Sequence, residues 1–231
     1  MNIRVLSIGL GIIGVSKLLM LLFVSILNLH AFASMTLFTV ISLIAWVILL
    51  KKDVAIEFKV SNKEVFKNTI PLLVIPLVSI NYFLTIEQSI EYGLVSLLLI
   101  TSLATGIYEE IIFRAIGLGS FMSAGMKPSK AILLSALLFS LFHIFTIYNA
   151  EIIDIVLKMM NTYMMGVVLG YIYYITKNIL YVISIHAVWD FESFLAKSYM
   201  LDDVGVAITI ILFAMTVLYF SWSMKKILKE I

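Results

Sequence analysis

The chain contains no cysteine, which removes disulfides, thiolate metal sites and cysteine nucleophiles together. Proline is scarce, at three positions, and charged residues make up only 13% of the sequence. So few charges exclude an ordinary soluble domain, in which about a quarter of residues are charged, and they exclude disorder as well. Apolar residues fill the space: 62% of the 231 positions are hydrophobic, against roughly 45–50% in soluble domains. The apolar runs are long and uninterrupted, unlike the alternating strands of a membrane barrel. The composition therefore specifies an all-α, polytopic membrane helical bundle. The net charge of +2 matters less than where the charges fall.

A helix needs about 20 apolar residues to cross a hydrocarbon core about 30 Å thick. Candidate runs fall at 4–28, 35–50, 69–86, 93–117, 130–149, 154–175, 179–197 and 204–223, which gives about eight transmembrane helices. No internal repeat stands out, and the one long polar stretch, 51–68, reads as a loop able to carry a short interfacial helix. With a cytoplasmic N-terminus, Arg4, Lys51, Lys52, Lys59, Lys63, Lys67, Arg114, Lys127, Lys130, Lys177, Lys225, Lys226 and Lys229 lie inside, 13 of the 16 Lys and Arg residues. Only Lys158 and Lys197 fall outside, and Lys17 lies within the first span. The outer loops carry Glu87, Glu91, Glu151, Asp154, Asp202 and Asp203. This bias predicts both termini in the cytoplasm, with 1–231 a single integral domain of the cell membrane. Arg4, the apolar stretch and Ala31-Phe32-Ala33 before Ser34 also fit a secretory signal. The stretch exceeds the 7–15 residues of a signal core, however, and Lys17 interrupts it, so the segment is expected to be retained.

An ionisable side chain in mid-bilayer costs at least ~2.5–3.5 kcal/mol on insertion scales, so each one requires a reason. The spans hold Lys17, Glu109 and Glu110 with Arg114, His143, and then His186, Asp190 and Glu192; His30 sits at a loop edge. Glu110 and Arg114, Phe139 and His143, and His186 and Asp190 are each i, i+4, so each pair shares a helix face. Counted from the cytoplasmic span ends, Glu109 and His186 lie about 10 Å deep and His143 about 20 Å, which lets them meet in the cytoplasmic half. Lys17 and Glu192 come to similar depth and form a candidate pair. A buried carboxylate near two imidazoles can take a proton from water or join them in holding a metal. Structural hydrogen bonding between helices is the competing use of such groups. It suits Glu110 with Arg114 better than the whole set.

Glu109-Glu110-Ile-Ile-Phe-Arg114, Phe139-Ser-Leu-Phe-His143 and His186-Ala-Val-Trp-Asp190 resemble, in order and spacing, the EExxxR, FxxxH and HxxxN/D motifs of the CAAX protease and bacteriocin-processing family, also called the Abi family. The resemblance covers about residues 93–197, and the chain looks like a homologue of the Ras-converting-enzyme type of CAAX prenyl protease, whose family fold is an eight-helix bundle. It implies an intramembrane endopeptidase that acts in peptide or protein maturation near the cytoplasmic face, without a cofactor. Glu109 resembles the glutamate that activates water together with the motif histidine, here His143; His186 and Asp190 resemble the pair that stabilises the oxyanion. Glu110 and Arg114 resemble supporting residues that aim Glu109 at the cavity. The expected partners are a peptide or membrane-protein substrate and the lipid bilayer, with no nucleic acid.

Two positions depart from the family pattern. Ala115 follows the motif arginine where glycine is frequent, and Asp190 stands where the prenyl-protein proteases have asparagine. Asparagine donates a hydrogen bond at any pH, whereas aspartate donates only when protonated. That departure keeps open a zinc protease held by Glu109, His143 and His186. A non-catalytic role in bacteriocin self-immunity or scaffolding is the alternative from another class. No H-E-x-x-H or G-x-S-x-G occurs, and no Tyr-Asp or Gly-Asp pair, which argues against the other intramembrane protease types.

Overall fold

The computed structural model describes residues 69–86, 91–146 and 151–198, with isolated positions 11, 44, 214 and 218. The expected first, second and eighth spans lie outside the described residues, as do Lys17, His30 and the 51–68 loop. All the described elements are helical. In order they are α1 (Pro71–Ile86), α2 (Tyr92–Glu110), a π-helical stretch Ile111–Leu118, α3 (Gly119–Ser123), α4 (Pro128–Phe142), a 3-10 turn His143–Thr146, α5 (Ile152–Thr176) and α6 (Ile179–Ser198). The run Tyr92–Ser123, α5 and the Ile179–Ala196 part of α6 are long and apolar enough to cross a membrane.

Two expected boundaries move, and both matter to the site. The fourth span was expected to end at 117, but the π stretch carries it on to Ser123, a run of 32 residues. Nothing in Ala115-Ile-Gly-Leu-Gly signals a stop, and all eight π residues are buried, so the run lacks the polar edge that would mark its end. The fifth span was expected over 130–149, but α4 stops at Phe142. Here the His143 ring nitrogen Nδ1 lies 2.9 Å from the Phe139 carbonyl, the acceptor that an α-helical amide at 143 would use. The His143 amide bonds Ser140 instead, and the backbone tightens into 3-10 form. At 15 residues α4 is about 22 Å long, short of the hydrocarbon core.

The turns follow local chemistry. After α3 the chain closes a Schellman motif, with Met126 N–H bonded to Phe121 O and Gly125 N–H to Met122 O. Gly125 sits there at φ 86°, a value that favours glycine, and Pro128 opens α4 where its missing N–H costs nothing. Between α5 and α6 the link is Lys177-Asn178. The Asn178 side chain accepts the Tyr181 N–H at 3.1 Å and so caps α6.

The helices pair as α2 on α6, α4 on α5 and α1 on α6. Gly166 lets α5 ride on α4: a Cβ at that position would stand 2.9 Å from the Ala136 Cα. Trp189 of α6 donates to the Leu72 carbonyl of α1 at 2.8 Å, and Tyr181 and Thr69 share a hydroxyl hydrogen bond. Exposure is inverted relative to a soluble protein. Leu133, Leu137 and Leu141 form an exposed stripe on α4, while Glu109, Glu110, Arg114, His186 and Glu192 are buried. Apolar outside and charged inside is the arrangement a bilayer selects.

Candidate active site

The boundary shifts bring Glu109 and His143 level. Glu109 lies 14 residues before the end of the Tyr92–Ser123 run and His143 15 residues after the start of α4. Both are therefore about 21–22 Å from the α3–α4 turn, not at 10 and 20 Å. His186 is seven residues into α6, about 10 Å from the turn that joins α5 to α6.

His186 is the hub. Its Nδ1 donates to Glu110 Oε1 at 2.7 Å, and the same oxygen lies 3.0 Å from Arg114 Nη1. Its Nε2 faces Glu109 Oε2 at 3.8 Å and Asp190 Oδ2 at 3.5 Å. The two adjacent glutamates thus address opposite nitrogens of one ring. Glu110 and Arg114 do form the expected i, i+4 ion pair, at 0% exposure for both, but no local pattern signals that Glu110 also holds His186 across 76 positions.

His143 approaches Glu109 from the other side, with Nε2 at 3.9 Å from Oε2. Because Nδ1–H is donated to the Phe139 carbonyl, the neutral ring presents its Nε2 lone pair to that carboxylate. Phe139 ties the set together. Its ring centroid is 4.7 Å from that of His143 and 5.7 Å from that of His186, and Arg114 Cζ lies over its face at 4.5 Å. The sequence marked Phe139 as a motif position without a task.

The π stretch is held from α4. Ser135 donates to the Phe113 carbonyl at 2.6 Å, which satisfies an oxygen in the widened backbone. Arg114 Nη2 reaches the Gly166 carbonyl at 3.5 Å, at the edge of bonding distance. Ala115, in the place where glycine is frequent, is buried in this stretch.

A cavity of about 240 Å³ opens beside the imidazoles, lined by His143, His186 and Asp190 and, from α5, by Lys158, Asn161 and Thr162. Glu109 is not a wall of it. Asp190 is the most accessible of the acidic groups, with a quarter of its side chain exposed.

Residues 91–192 match a family model described as type II CAAX prenyl endopeptidase Rce1-like. Over this stretch the chain is similar to Rce1-like CAAX proteases. The match runs from the residue before α2 to Glu192 on α6 and includes all six site residues named from the sequence. The Rce1-like family is one of membrane-embedded endopeptidases. Neither a curated protein nor a solved structure matches the chain.

The zinc alternative requires Glu109, His143 and His186 to close on one point. Two ligands of a tetrahedral zinc at 2.0–2.1 Å lie roughly 3.4 Å apart, whereas Glu109 Oε2 stands 3.9 and 3.8 Å from the two nitrogens. Among the described residues no group of three such side chains is placed to hold a metal ion.

Proposed function

We propose that the protein is a multi-pass intramembrane endopeptidase of the cell membrane in which Glu109, with His143, activates water, and His186, with Asp190, stabilises the oxyanion. The observation that carries this reading is the spacing around Glu109 Oε2, at 3.9 Å from His143 Nε2 and 3.8 Å from His186 Nε2. That is too long for direct hydrogen bonds and suits a shared water, which bridges groups at such separations.

In the reaction the carboxylate takes a proton from that water while the oxygen adds to the scissile carbonyl. His143 orients the water through Nε2, its ring fixed by the bond from Nδ1 to Phe139. The negative charge then develops on the carbonyl oxygen, on the cavity side, where a proton on His186 Nε2 provides a donor. Glu110 holds that ring from behind through Nδ1. The C–N bond breaks and the proton held by Glu109 passes to the departing amine. Eight spans with both termini in the cytoplasm follow from the Lys and Arg bias, which puts the α5–α6 turn, about 10 Å from His186, at the cytoplasmic face.

Glu109→Gln tests the base. It is nearly isosteric, so the variant should insert and melt as wild type while peptide hydrolysis falls by about 10²–10⁴-fold. Near wild-type turnover in purified Glu109→Gln sinks the mechanism. Asp190→Asn tests the oxyanion side. Assayed with and without a strong chelator, it should keep or gain activity and neither form should respond to the chelator. A dead Asp190→Asn beside a chelator-sensitive wild type would restore the zinc reading, in which loss of a ligand or orienting carboxylate weakens metal binding about 10–100-fold.

A further inference from the structure

The family match begins at residue 91, so α1 lies outside it, yet α1 reaches the wall of the cavity. Trp189, on α6 between His186 and Asp190, lines that cavity and donates its indole N–H to the Leu72 carbonyl of α1 at 2.8 Å. Leu72 is only 1% exposed, so water does not serve this oxygen. In a continuous helix the oxygen would take the amide four residues on. That residue is Pro76, which has no N–H. A buried carbonyl deprived of its helical donor is costly to leave unmet, and the indole fills the place of the missing amide. Eight residues earlier on α6, Tyr181 shares a second hydrogen bond with Thr69, just before α1.

We infer that Trp189 is a positioning residue, held by the carbonyl that Pro76 leaves open on α1, which fixes the rotation of α6 and so aims His186 and Asp190 at the substrate carbonyl. The inference rests on the reading under Proposed function. At about 3.6 residues per turn, His186 and Asp190 stand about 60° and 100° round the helix from Trp189, with side-chain ends about 5–6 Å from the axis. A rotation of α6 by about 10° therefore displaces both by about 1 Å, and a misplacement of that size costs up to about 10²-fold in rate. The bond from His186 to Glu110 does not prevent the rotation alone, because an imidazole can pivot about its side-chain torsions and keep one partner while the helix turns. Trp189 supplies the second fixed point, from a helix that carries none of the site residues.

Two variants break this bond from opposite ends. Trp189→Phe removes the donor and keeps an aromatic ring; Pro76→Ala restores an amide that competes for the Leu72 oxygen and leaves Trp189 in place. The chain has three tryptophans and three histidines, so the full-length protein in phosphatidylcholine nanodiscs, labelled with 15N in both ring types, gives a countable set of indole and imidazole signals. Trp189→Phe and His186→Gln assign the two that matter. In Pro76→Ala the Trp189 indole proton should move upfield and the His186 ring-nitrogen signals, Nε2 above all, should shift with it. In peptide hydrolysis each variant should lower kcat about 10–100-fold with KM little changed, and the double variant should be no worse than the weaker single, because both act through one bond. Tyr181→Phe, which removes the other bond, should lower the melting temperature and leave kcat and the His186 signals as in wild type. An indole signal unmoved in Pro76→Ala, His186 signals unmoved when the indole does move, or additive losses in the double variant overturn the inference. So does a Tyr181→Phe form that reproduces the kcat loss, since α1 would then contribute stability alone. If Trp189→Phe does not fold, Pro76→Ala carries both readouts. Absence of cleavage by the wild-type chain fails the endopeptidase reading, and the His186 signals in Pro76→Ala still decide whether α1 aims that ring.

Discussion

The α2–α6 side and the α4–α5 side of the site are built on opposite principles. Between α2 and α6 each charge answers another: Glu110 is shared by Arg114 and His186, and His186 is flanked by Glu109 and Asp190. Between the end of α4 and the start of α5 the walls are a largely buried histidine, an exposed asparagine and a lysine with no ion pair among the described residues, around open space. The first side fixes where the groups stand; the second leaves room for a peptide. A membrane protein can keep five ionisable groups in its interior only where they compensate one another, so position and access are divided between different helix pairs.

Breaking the closed side should have the largest effect. Arg114→Ala leaves Glu110 buried without its guanidinium, and a loss of about 3–5 kcal/mol is expected, read as a fall in folded yield and melting temperature. A variant as stable as wild type would show that the pair contributes nothing. Glu110→Gln should cost less stability, since an amide can still accept from His186. It should nevertheless lower kcat by about 10–100-fold with KM little changed, because the ring is no longer held by a carboxylate. If KM rises and kcat stays, Glu110 acts on the substrate and not through His186. On the open side, Asn161→Ala should change stability by no more than about 0.5 kcal/mol. A larger drop in melting temperature would mean that the α5 wall is as tightly built as the α2–α6 face.

The same division explains what could be read from the chain. The spans of α2, α5 and α6 were legible because long apolar runs are local, and Glu110–Arg114 was legible because one helical turn joins it. The end of α4 was not, since Ile144 and Phe145 continue the apolar run and only the ring of His143 interrupts the backbone pattern. The π stretch was not, because, Arg114 aside, its residues are apolar or glycine and nothing in their order marks a wider turn. The contact of Glu110 with His186 depends on how α2 lies against α6, which pattern within either helix cannot reveal. Lys158 was read as an exception to the charge bias, and its place in the cavity wall required the fold.

His143 ends a helix and sets a tautomer with one atom. A substitution at this position therefore cannot remove one imidazole cleanly. Without Nδ1 to claim it, the Phe139 carbonyl becomes available again to the amide four residues on, so α4 can wind through position 143 and re-aim whatever side chain stands there. The secondary structure of this segment is thus a readout of its side-chain chemistry, and an amide or infrared signature of the α-to-3-10 junction reports on the ring nitrogen as directly as a titration would.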